Sequence, residues 1–356
     1  MPVFKNHHYV PKCLMKPFSL DGRGKVINLF NTDRERSIRN AGVRGQCSKN
    51  YMYGEEPELE QSIGKLEQFY ANIRNRLQDN NFKIEEEEAI TLMYFICFQN
   101  FRTEAAMRRS LEISKQHKLD FGVTDTDRSE YQITMILLQA FASSMKTADE
   151  LKVAILDNKT ELKFVLSDDP AVMVSRFQNT KKRRTAFGIK AAGVAIYLPI
   201  SPTLCLLCYD SDIYHLPSIR GNTVRMVKLS DIEAINQLQF IRGSNNLYFY
   251  DWDDREQIAE YFNKYKHLRR ERWASFMYFR EVKDGGNQGF TKYHRVDGPS
   301  DLNLKGGDVG MTTAMMHQVV PESWPSVLKY KFKPRYFDNG SAGGAVRLSV
   351  AKAKFS

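Results

Sequence analysis

Two adjacent histidines near the N-terminus, His7 and His8, are the first residues of this 356-residue chain that could do chemistry. A histidine can act as a general base near neutral pH, or bind a metal ion through a neutral ring nitrogen. Because neighbouring side chains of an extended segment point to opposite faces, we expect one of the two to be central to a given site. The alternative is that a histidine and Tyr9 hydrogen-bond buried backbone and hold this segment against the domain.

Two adjacent carboxylates, Asp168 and Asp169, follow the apolar run KFVL and precede Pro170. A carboxylate at the end of a buried strand is held rigidly at the rim of the core, which suits a catalytic acid or a metal ligand. We therefore take Asp168 as a candidate catalytic residue, and both carboxylates as candidate ligands for Mg²⁺ or Mn²⁺. The alternative is a turn in which the carboxylate accepts backbone N–H bonds ahead of the proline.

Arg102 lies in an otherwise apolar helical stretch, FICFQNFRT. A buried guanidinium is costly unless it is paired, so Arg102 should meet a carboxylate or a phosphate. Glu67 and Asp168 are the candidate carboxylates, and pairing with Asp168 would make its role structural. If Arg102 instead faces a cleft with a histidine, it could hold a scissile phosphate, with Gln99 sharing that face one turn earlier.

The formal net charge of +10 is unevenly distributed. The segment 170–209 contains no Asp or Glu and six cations. A local field of this kind favours phosphate backbones, an acidic protein or anionic lipid, whereas the alternative is a solvated basic loop. With Gln99, the candidate substrate-binding residues are therefore Lys181, Lys182, Arg183 and Arg184.

Several common site classes lack their motifs. The chain has no Walker loop, no Gly-x-Ser-x-Gly elbow, no His-Glu-x-x-His and no dinucleotide fingerprint, so no nucleotide cofactor is expected. Cys205 and Cys208 have zinc-type spacing, but they lie in a strand-like run without a second Cys/His pair nearby. Two buried thiols are the better interpretation.

The cellular compartment is predicted from the absence of a membrane-spanning run and of a signal peptide. No apolar run approaches the roughly 18 residues that span a bilayer, and the first residues do not form a signal peptide. Five scattered cysteines suit a reducing compartment. We expect a cytoplasmic protein without a membrane partner.

Hydrophobic periodicity predicts an α+β fold. Helical spacing appears over 58–77, 84–117 and 129–145, so residues 57–146 form the helical part of a core domain that spans 1–265. Residues 150–251 are β-rich: a hairpin turning at Asn158 is followed by two apolar runs broken at Pro199 to Pro202. The predicted core is thus a mixed or antiparallel β structure with an inserted helical bundle, and 266–356 is an irregular C-terminal extension.

Five segments resemble, in order, an uncharacterised and mainly bacterial family named domain of unknown function 4238. The resemblance covers about residues 5–251 and rests on HHYVPKCLMKPF, FQNFRTEAAMR, FVLSDDPAVM, YLPISPTLCLL and INQLQFIRGSNNLYFY. Two residues depart from the family pattern: Leu14 stands where Tyr is frequent, and Asp169 replaces Asn. The resemblance implies no established activity, although by analogy mobile bacterial families of this kind often act in phage defence or as toxin-like nucleases.

The leading hypothesis is a metal-dependent nuclease, a hydrolase with His7 or His8, Asp168 and Arg102 converging in a basic cleft. In it, the carboxylate holds the metal or orients the histidine, and Arg102 holds phosphate. The main alternative is a non-enzymatic binding or sensor module whose basic surface recognises nucleic acid or an acidic protein. A third hypothesis is an enzyme with a small anionic substrate bound in an enclosed pocket.

Overall fold

The strands and helices of this chain come from a computed structural model, which describes residues 5–77, 83–121, 128–148, 150–180, 188–282, 292–302, 309–338 and 344–355. The helices are α1 (Lys12–Met15), α2 (Pro57–Arg76), α3 (Glu86–Phe101), α4 (Glu104–Phe121), α5 (Glu130–Ala148), α6 (Arg176–Thr180), α7 (Leu229–Arg242), α8 (Arg255–Tyr265) and α9 (Leu348–Phe355). The first nine strands are β1 (Asn6–His8), β2 (Val26–Asn31), β3 (Arg36–Gly42), β4 (Ser48–Asn50), β5 (Leu151–Asn158), β6 (Leu166–Ser167), β7 (Val172–Val174), β8 (Ala195–Pro199) and β9 (Leu204–Asp210). The remaining strands are β10 (Tyr214–His215), β11 (Ile219–Arg220), β12 (Thr223–Met226), β13 (Asn246–Phe249), β14 (Ala274–Val282), β15 (Lys292–Val296), β16 (Gly310–Met316) and β17 (Lys329–Tyr330).

A six-stranded sheet, in the order β11-β12-β5-β9-β8-β7, forms the centre of the fold. Its strand pairs are antiparallel except β12 with β5, which is parallel. Strands β5, β8 and β9 are buried along nearly their whole length, which explains their continuous apolar sequences. Helix α3 packs against β5 and β9, so the inserted helices cover this sheet. The fold is α+β, as the sequence pattern predicts.

A second, four-stranded sheet has the order β3-β2-β13-β6. It corrects the predicted hairpin over 151–169, because β5 pairs with β9 and β12 whereas β6 pairs with β13. The backbone between β5 and β6 is bonded to other segments. Phe164 N–H donates to Pro202 O at 2.9 Å, and Val165 N–H donates to the Asn236 side chain at 2.9 Å. The two apolar runs separated at Pro199 to Pro202 are β8 and β9, which pair with each other in antiparallel register.

The helix predicted over 84–117 is two helices, α3 and α4, separated at Arg102 and Thr103. Thr103 starts α4, because its hydroxyl accepts the Ala106 N–H at 3.1 Å and so satisfies one of the unpaired amides of a helix start. Apolar periodicity continues through this junction, which is why periodicity alone joins the two helices. The break places Arg102 and Thr103 side by side above the end of α3.

The segment after residue 266, expected to be irregular, contains regular structure. Strands β15, β14 and β16 form an antiparallel sheet in that order, and β17 pairs with β10. Val319, Leu328 and Ala345 are buried in the same apolar cluster as β8 and β9. Among the residues that the structure describes, no helix combines the length and the apolar character needed to cross a bilayer.

Candidate functional site

Arg102 is bonded to the protein interior at all three of its guanidinium nitrogens. Only 1% of the residue is exposed. Nη1 contacts Glu67 Oε1 at 2.7 Å, Nε donates to Tyr53 Oη at 3.0 Å, and Nη2 donates to the His8 carbonyl at 2.5 Å. Burial opposes its charge, but Tyr53 and Glu67 outweigh burial and raise the pKa of Arg102. Arg102 therefore ties α2 and the N-terminal segment to the end of α3.

The two histidines lie in β1, which pairs with β4. His7 is buried, its Nδ1 accepts the Tyr53 N–H at 3.1 Å, and its ring stacks on the Tyr53 ring with centroids 5.4 Å apart. Burial and the nearby charge of Lys12 lower the pKa of His8 to about 4, so its imidazole is neutral at pH 7. Arg102 reaches this pair through the backbone of His8.

Gln99 also fixes the N-terminal segment. It is fully buried, and its Nε2 donates to the Tyr9 carbonyl at 2.7 Å. Gln99 lies near the end of α3 with Arg102, and its Nε2 bond goes to a backbone carbonyl of the chain itself. The N-terminal motif and the FQNFRT motif form one packed unit.

Asp168 accepts three backbone amides from the turn between α7 and β13. Oδ1 accepts the Ser244 N–H at 2.6 Å, and Oδ2 accepts those of Asn245 and Asn246 at 2.8 and 3.1 Å. Burial raises the pKa of Asp168 to about 6, although these three amides act in the opposite direction. The Asp168 carboxylate therefore anchors the turn that follows α7. It does not form the expected local turn next to Pro170 with these oxygens.

Asp169 is fully buried between two arginines and a hydroxyl. Oδ1 accepts the Thr103 hydroxyl at 2.7 Å, and Oδ2 accepts Arg109 Nη1 at 2.7 Å. Arg242 Nε lies 2.7 Å from the same Oδ2, although its N–H is not aligned as a hydrogen bond. Burial acts to raise the pKa of Asp169, but Arg109 and Arg242 hold it below its usual range.

These contacts do not suit the predicted Mg²⁺ or Mn²⁺ site. The oxygens of Asp168 already accept backbone amides, and those of Asp169 face a hydroxyl and two guanidiniums. A divalent cation needs free oxygen ligands and would be repelled by the two arginines. Within the described ranges, no group of three or more His, Cys, Asp and Glu side chains could hold a metal ion.

Polar side chains of α7 hold the segment that carries both carboxylates, and sequence reasoning did not single them out. Asn236 accepts the Val165 N–H at 2.9 Å and donates to the Lys163 carbonyl at 2.7 Å. Gln239 accepts the Ser167 N–H at 3.1 Å and donates to the Pro170 carbonyl at 2.9 Å. The signal available in the sequence was three amides, Asn236, Gln237 and Gln239, within four positions of one predicted helix.

The structure also contains a large cleft, here named the basic cleft, with a volume of about 1210 Å³. It lies between the C-terminal end of α2, the β11–β12 hairpin and the segments after β5 and β8. Its cationic lining residues are Lys16, Arg74, Lys83, Lys159, Lys163, Arg220 and Arg225. These residues are dispersed over more than 200 positions, so no local cluster in the sequence marks them, and only the overall charge pointed to such a surface. The predicted substrate-binding residues Lys181, Lys182, Arg183 and Arg184 lie outside the described residues.

Most of the positive charge in the basic cleft is not neutralised by carboxylates. Asp157 is the one carboxylate among the described lining residues, and it pairs with Lys159 at 2.9 Å. In the part of the chain that the structure describes, no carboxylate lies within 4.0 Å of the cationic nitrogens of the other six cations, which are Lys16, Arg74, Lys83, Lys163, Arg220 and Arg225. Tyr250, 39% exposed, adds an aromatic ring to the wall.

Comparison with known proteins identifies the family. The model of the family described as "Protein of unknown function (DUF4238)" matches residues 6–253. The chain belongs to this family. No curated protein and no solved structure matched the chain. The DUF4238 region runs from β1 to just past β13, so it includes the contacts of Arg102, Asp168 and Asp169 and every lining residue of the basic cleft.

Proposed function

We propose that this DUF4238 protein is a binding module that holds nucleic acid in the basic cleft. The observation that carries the proposal is a cleft of about 1210 Å³ with seven cations and one carboxylate on its described lining. Cationic side chains that lack carboxylate partners are available to neutralise phosphates, and the release of condensed counterions then drives association.

Single-stranded nucleic acid suits the basic cleft best. Proteins that bind single strands combine a positively charged groove with aromatic rings on which bases stack. Arg220 and Arg225 are exposed on the β11–β12 hairpin, and Tyr250 presents its ring at the wall of the same cleft. A strand whose phosphates contact the arginines could therefore stack an unpaired base on Tyr250.

The contacts of the motif residues favour binding over cleavage. The nuclease hypothesis needs Arg102 and Asp168 to face a substrate, but the bonds of both side chains go to groups of the chain itself. Their arrangement supports the alternative that the conspicuous polar residues hold the fold together. The basic cleft is lined by other residues.

The proposal is tested by fluorescence anisotropy with short labelled single-stranded RNA, single-stranded DNA and duplex DNA. The double variant Arg220→Glu/Arg225→Glu should weaken single-strand binding by tenfold or more, at an order-of-magnitude level. The plot of log K against log salt should become less steep: the magnitude of its negative slope should decrease by about 1.4, which is about 0.7 for each lost phosphate contact. Both side chains are exposed, so the fold should be retained.

A matched control is Arg36→Glu/Arg295→Glu, which reverses two exposed strand arginines outside the basic cleft. It should bind almost as the unaltered chain does. Equal losses of affinity in the two double variants would show that only net charge matters. That result would overturn the proposal that nucleic acid binds in the basic cleft. Degradation of the probe in the presence of Mg²⁺ or Mn²⁺ would favour the nuclease hypothesis instead.

A further inference from the structure

A second cationic cavity is lined by the two arginines that contact Asp169, Arg109 and Arg242. It has a volume of about 250 Å³ and is formed by α4, the C-terminal end of α7 and residues 269–273. We name it the arginine pocket, because its lining includes Arg108, Arg109, Arg242, Arg269 and Arg270. It shares no lining residue with the basic cleft.

The charges buried beside this pocket do not balance. Arg109 and Arg242 are 7% and 6% exposed, and both lie 2.7 Å from one oxygen of Asp169. One carboxylate thus faces two buried guanidiniums, and its other oxygen accepts the Thr103 hydroxyl. A buried charge without a partner is costly, so an additional anion next to these arginines would be stabilising.

The environment of Arg242 also indicates an excess of buried positive charge. Burial and the nearby charge of Arg109 lower the pKa of Arg242 to about 10, even though Asp169 acts to raise it. Its guanidinium lies over the Trp273 ring at 5.1 Å, a cation–π contact that orients the planar donor group. Arg242 Nε makes no aligned hydrogen bond in the described structure.

The other arginines of the pocket differ in how firmly they are held. Arg269 is anchored, because it donates to the Phe240 carbonyl at 2.8 Å and to the Ser244 carbonyl at 2.9 Å. Arg108 pairs with Glu104 at 2.8 Å, with its side chain 55% exposed. Arg270 is exposed at the rim. Glu112 and Glu271 also line the pocket, so its lining carries five guanidiniums and two carboxylates.

We infer that the arginine pocket binds a phosphate group, either free phosphate or the monoester of a small molecule. Planar guanidiniums donate pairs of parallel N–H bonds to phosphate oxygens, and a dianion would offset the excess charge of Arg109 and Arg242. At about 30 Å³ per water, the pocket has room for roughly eight waters. This volume accommodates a phosphate and a small organic part, but less than a typical drug-sized ligand.

The test uses the full chain and three probes: inorganic phosphate, ribose 5-phosphate and AMP. Calorimetric titration should detect binding, and thermal unfolding should show a rise in Tm above that in NaCl of equal ionic strength. Arg270→Ala should weaken binding about tenfold, because it removes one charge-assisted donor from an exposed position. Arg272→Ala is the matched control, since this neighbouring arginine is also exposed and does not line the pocket. Its Nε lies 3.9 Å from the partly exposed lining carboxylate of Glu112, and its removal leaves all five lining guanidiniums in place.

Asp169→Asn gives a result in the opposite direction. It keeps the shape of the side chain but removes the carboxylate that, among the described residues, contacts both Arg109 and Arg242, so phosphate should bind several-fold more tightly. Phosphate should also raise the Tm of this variant more than that of the unaltered chain. If this variant fails to fold, the comparison of Arg270→Ala with Arg272→Ala still decides the question.

Two outcomes would overturn the inference. One is a phosphate effect no larger than that of NaCl at the same ionic strength, and the other is an equal loss of affinity in Arg270→Ala and Arg272→Ala. The source of the phosphate follows from the three probes: equal affinities indicate free phosphate, whereas tighter binding of ribose 5-phosphate or AMP indicates a monoester. Because the two cavities share no lining residue, Arg220→Glu/Arg225→Glu should leave phosphate binding unchanged, which separates this test from that of the basic cleft.

Discussion

Arg102 shows how far single residues can be interpreted from sequence. Its charge in an apolar helix predicts an internal partner, because an unpaired buried guanidinium is costly. Glu67 is that partner, at 2.7 Å. The sequence could not choose between Glu67 and Asp168, and it could not predict the bond from Arg102 to the His8 carbonyl. Both depend on distances between segments that lie far apart along the chain.

We predict that Arg102→Met lowers the free energy of unfolding by about 3–5 kcal/mol, because it leaves Glu67, Tyr53 and the His8 carbonyl without their buried donor. Urea denaturation measures this loss. Glu67→Gln should cost less, since an amide oxygen can still accept from Nη1 and the Glu67 side chain is 25% exposed. Folded Arg102→Met should bind single-stranded RNA as the unaltered chain does. A variant that stays stable but loses binding would make Arg102 a ligand-binding residue instead.

At the scale of elements, periodicity predicts the elements that are long and apolar. It predicts α2 and α5, and the apolar runs on either side of Pro199 to Pro202 predict β8 and β9. It misses β3, because an exposed edge strand with three arginine and asparagine positions has no apolar alternation. It also merges α3 with α4, because their boundary is set by one hydroxyl at Thr103 and not by a change in hydrophobic pattern.

Thr103 joins two elements through one oxygen, so its removal should affect both. Thr103→Ala removes the N-cap of α4 and the hydrogen bond to Asp169. We expect a loss of about 2 kcal/mol in the free energy of unfolding, measured by urea denaturation. Thr103→Ser keeps the hydroxyl and should cost less than about 1 kcal/mol. Equal losses in the two variants would assign the effect to packing of the methyl group.

At the scale of the whole molecule, the fold extends beyond the DUF4238 region. The family model ends at residue 253, yet later residues complete the core and its polar contacts. Gln318 Oε1 accepts the Ser175 N–H at 2.6 Å, and the Asp231 carboxylate accepts the N–H and hydroxyl of Ser326 at 2.5 and 2.9 Å. The sequence did not predict this, because the segment is rich in glycine and its apolar residues are widely spaced.

We therefore predict that a chain ending at residue 265 does not fold as the full chain does. It loses Val319, Leu328 and Ala345 from the apolar cluster around β8 and β9, and it leaves Ser175 and Asp231 without their partners in residues 318–326. Burial worth about 1.5–3 kcal/mol for each large apolar side chain, with about 1–3 kcal/mol for each unsatisfied polar group, approaches the 5–15 kcal/mol that stabilises a typical domain. Dye binding to exposed apolar surface and loss of a cooperative thermal transition measure the effect.

A chain ending at residue 316 keeps β14 to β16 but lacks the same core residues, so it should fail to fold in the same way. If the chain ending at 265 were as stable as the full protein, residues 266–356 would be a separable extension, and the contacts of Gln318 and Ser326 would contribute little to stability.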